Sequence, residues 1–228
     1  EKPEDALEAA AKVIELEPEH TRALTIAGLA HSKTGNITAA EEALRKAIMV
    51  SVGDIRPRLE LAELQWSADE HSEAIATLKE GLAANPDGRE IKADLAKRMM
   101  LDGLISESYP LLAELSAESP SLESDLLLIE AMDILGMKGI PDTLENMVER
   151  YPDDARFLGD YGSRLVWSGE TQRGFELLDR LGNDVNSNPD WKLASIEARR
   201  KPDYAKLAFE QKPSMKEFSE TLAFLSAF

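Results

Sequence analysis

Residues 27–40 read Ala-Gly-Leu-Ala-His-Ser-Lys-Thr-Gly-Asn-Ile-Thr-Ala-Ala. A histidine, two glycines and the glycosylation-type triplet Asn36-Ile37-Thr38 could each mark chemistry. Their spacing points to folding instead. Ala27, Gly28 and Ala30 crowd small side chains onto helical spacing, where an ordinary core helix would carry leucine or phenylalanine. Thr34-Gly35-Asn36 is turn chemistry, and Ala39-Ala40 open a return helix. Two helices with small residues at their crossing can approach closely, which predicts a tight helical hairpin.

The same phrase recurs along the chain. A helix ending is followed by proline and an acidic or small residue at Pro18, Pro86, Pro120 and Pro152. Pro86 and Pro120 lie 34 residues apart, and Val52 holds the place midway between Pro18 and Pro86. Ala27-Gly28 is answered by Leu61-Ala62, Leu95-Ala96 and later Tyr161-Gly162. Ala6, Ala40, Ala74 and Ser108 keep the same step, with Gly174 in the later repeat. Leu44, Leu78, Leu112, Leu144 and Leu178 follow four residues after such positions or their later equivalents and would fill the seam. A fixed period near this length predicts a stacked repeat of amphipathic helix pairs.

These residues resemble the tetratricopeptide repeat family. The first full repeat matches through Leu24, Ala27, Gly28, Ala40, Leu44 and Ala47; the next matches through Leu61, Ala62, Ala74, Leu78, Gly81 and Pro86. The resemblance implies an all-α fold: a right-handed superhelical solenoid of antiparallel helix pairs. It places a half repeat at 3–18 and repeats near 21–54, 55–88, 89–122, 123–154 and 155–188. A degenerate helical cap is expected over 189–228, with helices near 190–200 and 203–211 and a last one from Ser214. Phe218, Leu222, Leu225 and Phe228 give that last helix an apolar stripe. The sequence opens in mid-repeat, which reads as part of a longer array. In the fourth full repeat, Gly139-Ile140-Pro141-Asp142 is expected to start the second helix with Pro141 at its first position.

Composition narrows the function classes. The 228 residues carry 43 acidic and 26 basic side chains, a net charge of −17. Such a surface repels phosphate backbones and anionic lipid, which argues against general nucleic-acid or membrane binding, and apolar runs as short as Leu126-Leu127-Leu128-Ile129 leave no segment for direct membrane insertion. Residues 118–160 hold 11 acids against 3 bases, either as a solvated acidic face or as an attraction for a basic partner segment. Cysteine is absent, so thiolate nucleophiles, disulfides and thiolate metal sites are excluded. The compartment stays open between cytoplasm and periplasm.

No catalytic constellation stands out. His20, His31 and His71 never fall three or four apart, which removes a one-helix metal site. His31 is expected to pack, whereas His20 and His71 are expected in solvent. No phosphate loop or nucleophile elbow occurs, and no cofactor is expected. Trp167 and Trp191 are expected as packing anchors.

The resemblance implies a concave face, lined by the first helix of every repeat, that holds a protein or peptide. Its candidate binding residues are Arg22, Arg56, Leu59, Glu63, Trp66, Lys97 and Met100. Basic heads beside an aromatic and a soft apolar side chain make the mixture of a binding hot spot, and packing between repeats is the competing reading for Trp66 and Met100. The carboxylate clamp of chaperone adaptors is missing, since its positions carry Thr25, Leu29, Leu59, Glu63, Ala93 and Lys97. Two alternatives remain: a substrate-recruiting appendage of a larger enzyme, and a self-association module dimerising through the C-terminal helix.

Overall fold

The computed structural model describes residues 2–137 and 141–200. These form twelve α-helices and one 3-10 helix, with no strand among the described residues. The chain divides into two compact units, residues 1–119 and 120–228.

In the first unit, α1 spans Pro3–Leu16, α2 Thr21–Lys33, α3 Ile37–Val50, α4 Arg56–Ser67, α5 His71–Ala84, α6 Arg89–Leu101 and α7 Ile105–Glu118. Each helix packs on the next, and α2 also touches α4. The opening stretch is the α2–α3 hairpin. A Cβ placed on Gly28 would lie 2.6 Å from Cγ of Leu44 and 3.2 Å from the carbonyl oxygen of Ala40. Glycine is what lets α3 come this close. Gly35 makes the turn at φ +78°, a left-handed conformation that suits a residue without Cβ. His31 is half-buried. One core cluster joins Ala40, Leu44, Leu61 and Leu64. The next joins Ala62, Ala74, Ile75, Leu78, Ile91, Leu95 and Met99. Both draw on consecutive helix pairs, so burial is achieved only by stacking.

In the second unit, α8 spans Leu122–Ile134, α9 Asp142–Arg150, α10 Ala155–Ser168, α11 Thr171–Arg180 and α12 Pro189–Arg200. A 3-10 helix, Gly182–Ser187, links the last two. Ser121 and Ser124 form a reciprocal capping box at the start of α8. Asp154 caps α10 by accepting from the Phe157 amide at 2.8 Å. α10 is the centre of this unit and packs on α8, α11 and α12.

One local expectation changes. Pro141 is the N-cap of α9, with ψ 143°, and the helix starts at Asp142. Its ring still fixes φ, but the extended ψ keeps it outside the first turn. Gly139, Ile140 and the helices expected beyond residue 200, with their apolar stripe, lie outside the described residues.

Charges follow the repeat as well. Lys79 of α5 meets Glu107 of α7 at 3.0 Å, and Glu145 of α9 meets Arg173 of α11 at 2.9 Å. Both pairs are 28 residues apart and join successive second helices. Their exposure limits each to about 0.2–1 kcal/mol, so they act on register more than on stability.

Candidate functional site

The first unit presents a polar and aromatic face on α4 and α6. Arg56, at the start of α4, is exposed; its guanidinium lies 3.1 Å from Glu60 and 3.9 Å from Glu90 of α6. Leu59 and Trp66 are half-buried and pack against the neighbouring core. The Trp66 indole stacks on the His71 imidazole, with centroids 4.0 Å apart and planes 10° apart. The Arg98 guanidinium lies 5.1 Å from the same indole, within cation–π range.

Arg98 is the residue the sequence reading passed over. It is a buried arginine bound to Glu63 of α4 at 2.8 Å and to Asp94, one turn back, at 3.0 Å. It therefore fixes Glu63 and Trp66 together on one face. The available signal was weak: Asp94 stands four residues before Arg98, a common spacing on a solvated helix.

The remaining candidates spread out. Lys97 is exposed on α6. Met100 is buried at 9% exposure, which leaves it little surface to offer a partner. Arg22 is exposed and lines a hollow between α1 and α2 that holds none of the other six. The two histidines expected in solvent have structural work instead. His20 caps α2 through Nδ1, which accepts from the Ala23 amide at 3.1 Å. The His71 ring, besides stacking on Trp66, lies 3.3 Å from both Asp69 and Asp102.

The second unit holds a cleft of about 910 Å³ between α8, α10 and α12. Leu126, Leu127 and Ile129 supply apolar wall, and Trp167 and Trp191 line it too. Trp191 is buried over the backbone of Gly159, and its Nε1 donates to Asp160 at 2.7 Å. It is an anchor, as expected. Trp167 is not, because 54% of it is exposed. Arg164 lies almost wholly buried in the wall, 2.7 Å from Asp133, and its Nη2 donates to the carbonyl of Met137 at 3.1 Å. Burial pushes the Asp133 carboxyl up, Arg164 opposes that shift, and the neighbouring Asp160 and Glu130 add to it.

Elsewhere in this unit, Asp125 is fully buried and Arg150 reaches it at 3.1 Å. Burial, reinforced by Asp125, pushes the Tyr151 phenol up to about 12, and burial also raises Tyr161. A phenol raised on folding keeps its stabilising contribution below its unfolded value of about 10. That contribution is lost as pH rises through the folded value. Stability is therefore expected to fall on moving from about pH 9 to about pH 12, with two phenols ionising late. Denaturant midpoints across this range, with tyrosinate absorbance in parallel, check the expectation; four phenols that titrate together near the ordinary value would refute it.

Among the described residues, no group of three His, Asp or Glu side chains is arranged to hold a metal ion. No helix among them is long and apolar enough to cross a membrane.

Two tetratricopeptide-repeat family models match the chain, over residues 1–57 and 33–98. No curated protein matches it by sequence. Solved structures share its fold. YrrB, described as a tetratricopeptide-repeat protein with an unusual peptide-binding site, is 16% identical at a TM-score of 0.64, covering 86% of this chain and 100% of its own. MamA of AMB-1 is 17% identical at a TM-score of 0.57, covering 76% and 96%. A tetratricopeptide repeat protein from Parabacteroides merdae is 14% identical at a TM-score of 0.55, covering 97% and 91%. Residues 1–98 therefore match models of the tetratricopeptide repeat, and the consecutive helix pairs of the described residues share the fold of solved tetratricopeptide-repeat structures.

Proposed function

We propose that the chain is a protein-interaction scaffold that holds a protein or peptide segment on the face of α4 and α6. The observation that carries this is the Arg98–Trp66–His71 arrangement. It fixes a half-buried indole beside Glu63 on one face, with Arg56 and Lys97 on the same two helices. A rigid aromatic costs little ordering entropy when a partner covers it, and charged neighbours set orientation. YrrB, with the same fold and its peptide-binding site, lends the reading general support.

The test is selection of peptides from a displayed library by the full chain. Affinity for the selected peptides is expected to fall about tenfold or more in Trp66→Ala and in Arg56→Glu, the range of a lost anchor at about 1–3 kcal/mol. The Arg56 side chain is itself 62% exposed, so its reversal tests the surface with little effect on the core. Arg22→Glu, at the separate hollow, is expected to change little. Affinity unchanged in both Trp66→Ala and Arg56→Glu, with helicity intact, would remove this face from the proposal.

A further inference from the structure

We propose that the hollow between α1 and α2 is a docking site for an acidic amphipathic helix of a partner protein. It lies between a second helix and a first helix of the repeat pattern, and it does not depend on the α4–α6 face. Three features carry the assignment.

The hollow, of about 530 Å³, is shaped to take a helix. α2 crosses α3 closely at Gly28, over Ala40 and Leu44. The residues that stand 34 earlier, Ala6 and Ala10 of α1, line the hollow. Val13, the next of that series, is 37% exposed, whereas its counterpart Ala47 on α3 has no exposed surface. The part of α1 that corresponds to the seat of α2 on α3 is thus open.

The opposite wall is apolar beyond what the repeat asks for. Ile26 of α2 lines the hollow and is 38% exposed, with Leu29 half-buried beside it. One repeat later the place of Ile26 is taken by Glu60, a residue suited to water. An isoleucine and a valine left exposed on the two walls of one hollow are surface that a partner's leucines would cover.

Charge selects the partner. Every lysine, arginine, aspartate and glutamate in the lining, among the described residues, is basic: Lys2, Arg22 and Lys33. None of these three side chains has an ion-pair partner among the described residues. The chain as a whole carries 43 acids against 26 bases, so three unpaired cations around one apolar hollow reverse its general character. Glutamates or aspartates flanking apolar side chains would be drawn in, and a basic helix would be repelled.

Fluorescence anisotropy of the full chain with a labelled Glu/Leu amphipathic peptide tests the assignment. The same peptide with every glutamate changed to lysine, and one with its leucines changed to serine, serve as comparisons. The Glu/Leu peptide is expected to bind and the other two are not. A net charge of −17 repels an acidic peptide in general, so its capture reports a local site. Ile26→Glu, and separately the pair Arg22→Glu and Lys33→Glu, are each expected to weaken binding at least about tenfold. The first of these brings in the side chain that the next repeat carries at this place, and circular dichroism checks that helicity is kept. Lys46→Glu, an exposed cation of α3 outside the hollow, and Trp66→Ala, on the other face, are expected to leave binding within about twofold. No binding, or equal binding of the lysine peptide, would overturn the proposal. Binding lost in Trp66→Ala and kept in Ile26→Glu would assign the peptide to the α4–α6 face instead. A dimer dissolved by Ile26→Glu would assign the hollow to a second copy, and refusal of the peptide by a form extended before Glu1 would assign it to the chain's own preceding segment. Either of these last results overturns the proposal while leaving the α4–α6 face untouched.

Discussion

A Gly174→Ala variant is expected to lose about 3 kcal/mol of stability, the upper part of the usual range for overpacking. A Cβ at Gly174 would lie 2.5 Å from the carbonyl oxygen of Gly162, 2.8 Å from the Val166 amide nitrogen and 2.7 Å from the Val166 side chain. Two of these neighbours are backbone, so no rotamer change relieves them and α10 must move away from α11. That motion reaches the whole second unit, because α10 packs on α8, α11 and α12. A thermal midpoint lowered by about 6–12 °C is the expected reading in far-UV circular dichroism. Gly28→Ala is the informative contrast. Its new Cβ meets mainly the Leu44 side chain, and its nearest backbone atom, the Ala40 carbonyl oxygen, is looser at 3.2 Å, so a smaller cost of about 1–2 kcal/mol is expected there. Equal losses in the two variants would contradict the distinction between backbone and side-chain contact.

Arg150→Met is expected to cost about 3–5 kcal/mol, since it strands a carboxylate in the interior. Asp125 has no exposed surface, and Arg150 is the cation that reaches it, at 3.1 Å. Arg150 itself is 30% exposed at its side chain, so little packing is lost when methionine replaces it. The penalty comes from the orphaned charge. Adding Asp125→Asn to Arg150→Met removes that charge at constant shape and is expected to return much of the stability. Urea midpoints of the two single variants and the double variant measure the coupling. A double variant no more stable than Arg150→Met would show that the carboxylate is not the source of the loss.

The helix pairs were legible because their signals repeat. Gly28 with Leu44, and Gly162 with Gly174 and Leu178, occupy equivalent places in different repeats. Each such place enforces a close crossing that only small residues allow. Buried charges were not legible in this way. Arg98, Asp125 and Arg164 are polar letters on faces that periodicity would assign to solvent, and only the partner's position in space reveals them. Glu63, for instance, stands 35 residues from Arg98. Short-range detail also escaped where two roles share one residue type. Pro141 can occupy an N-cap or a first turn, and the local ψ decides between them. His71 reads as a turn histidine until Trp66, at the end of the preceding helix, places an indole beneath it. The candidate binding residues show the same division. Arg56, Glu63 and Trp66 share a face because they stand seven and three residues apart along the single helix α4. Met100 is buried because its position also faces the core.

The three tryptophans sit in three different surroundings: Trp66 stacked on an imidazole, Trp167 largely in water and Trp191 sealed over α10. Their light emission should separate accordingly. Trp167 should emit at the longest wavelength and be quenched by acrylamide while the fold is intact. Trp191 should emit to the blue and resist quenching until α12 detaches. Trp66 should be partly quenched by its histidine neighbour and brighten when α4 and α5 separate. The chain thus carries an optical reporter for each unit, and opening of either can be followed without a label.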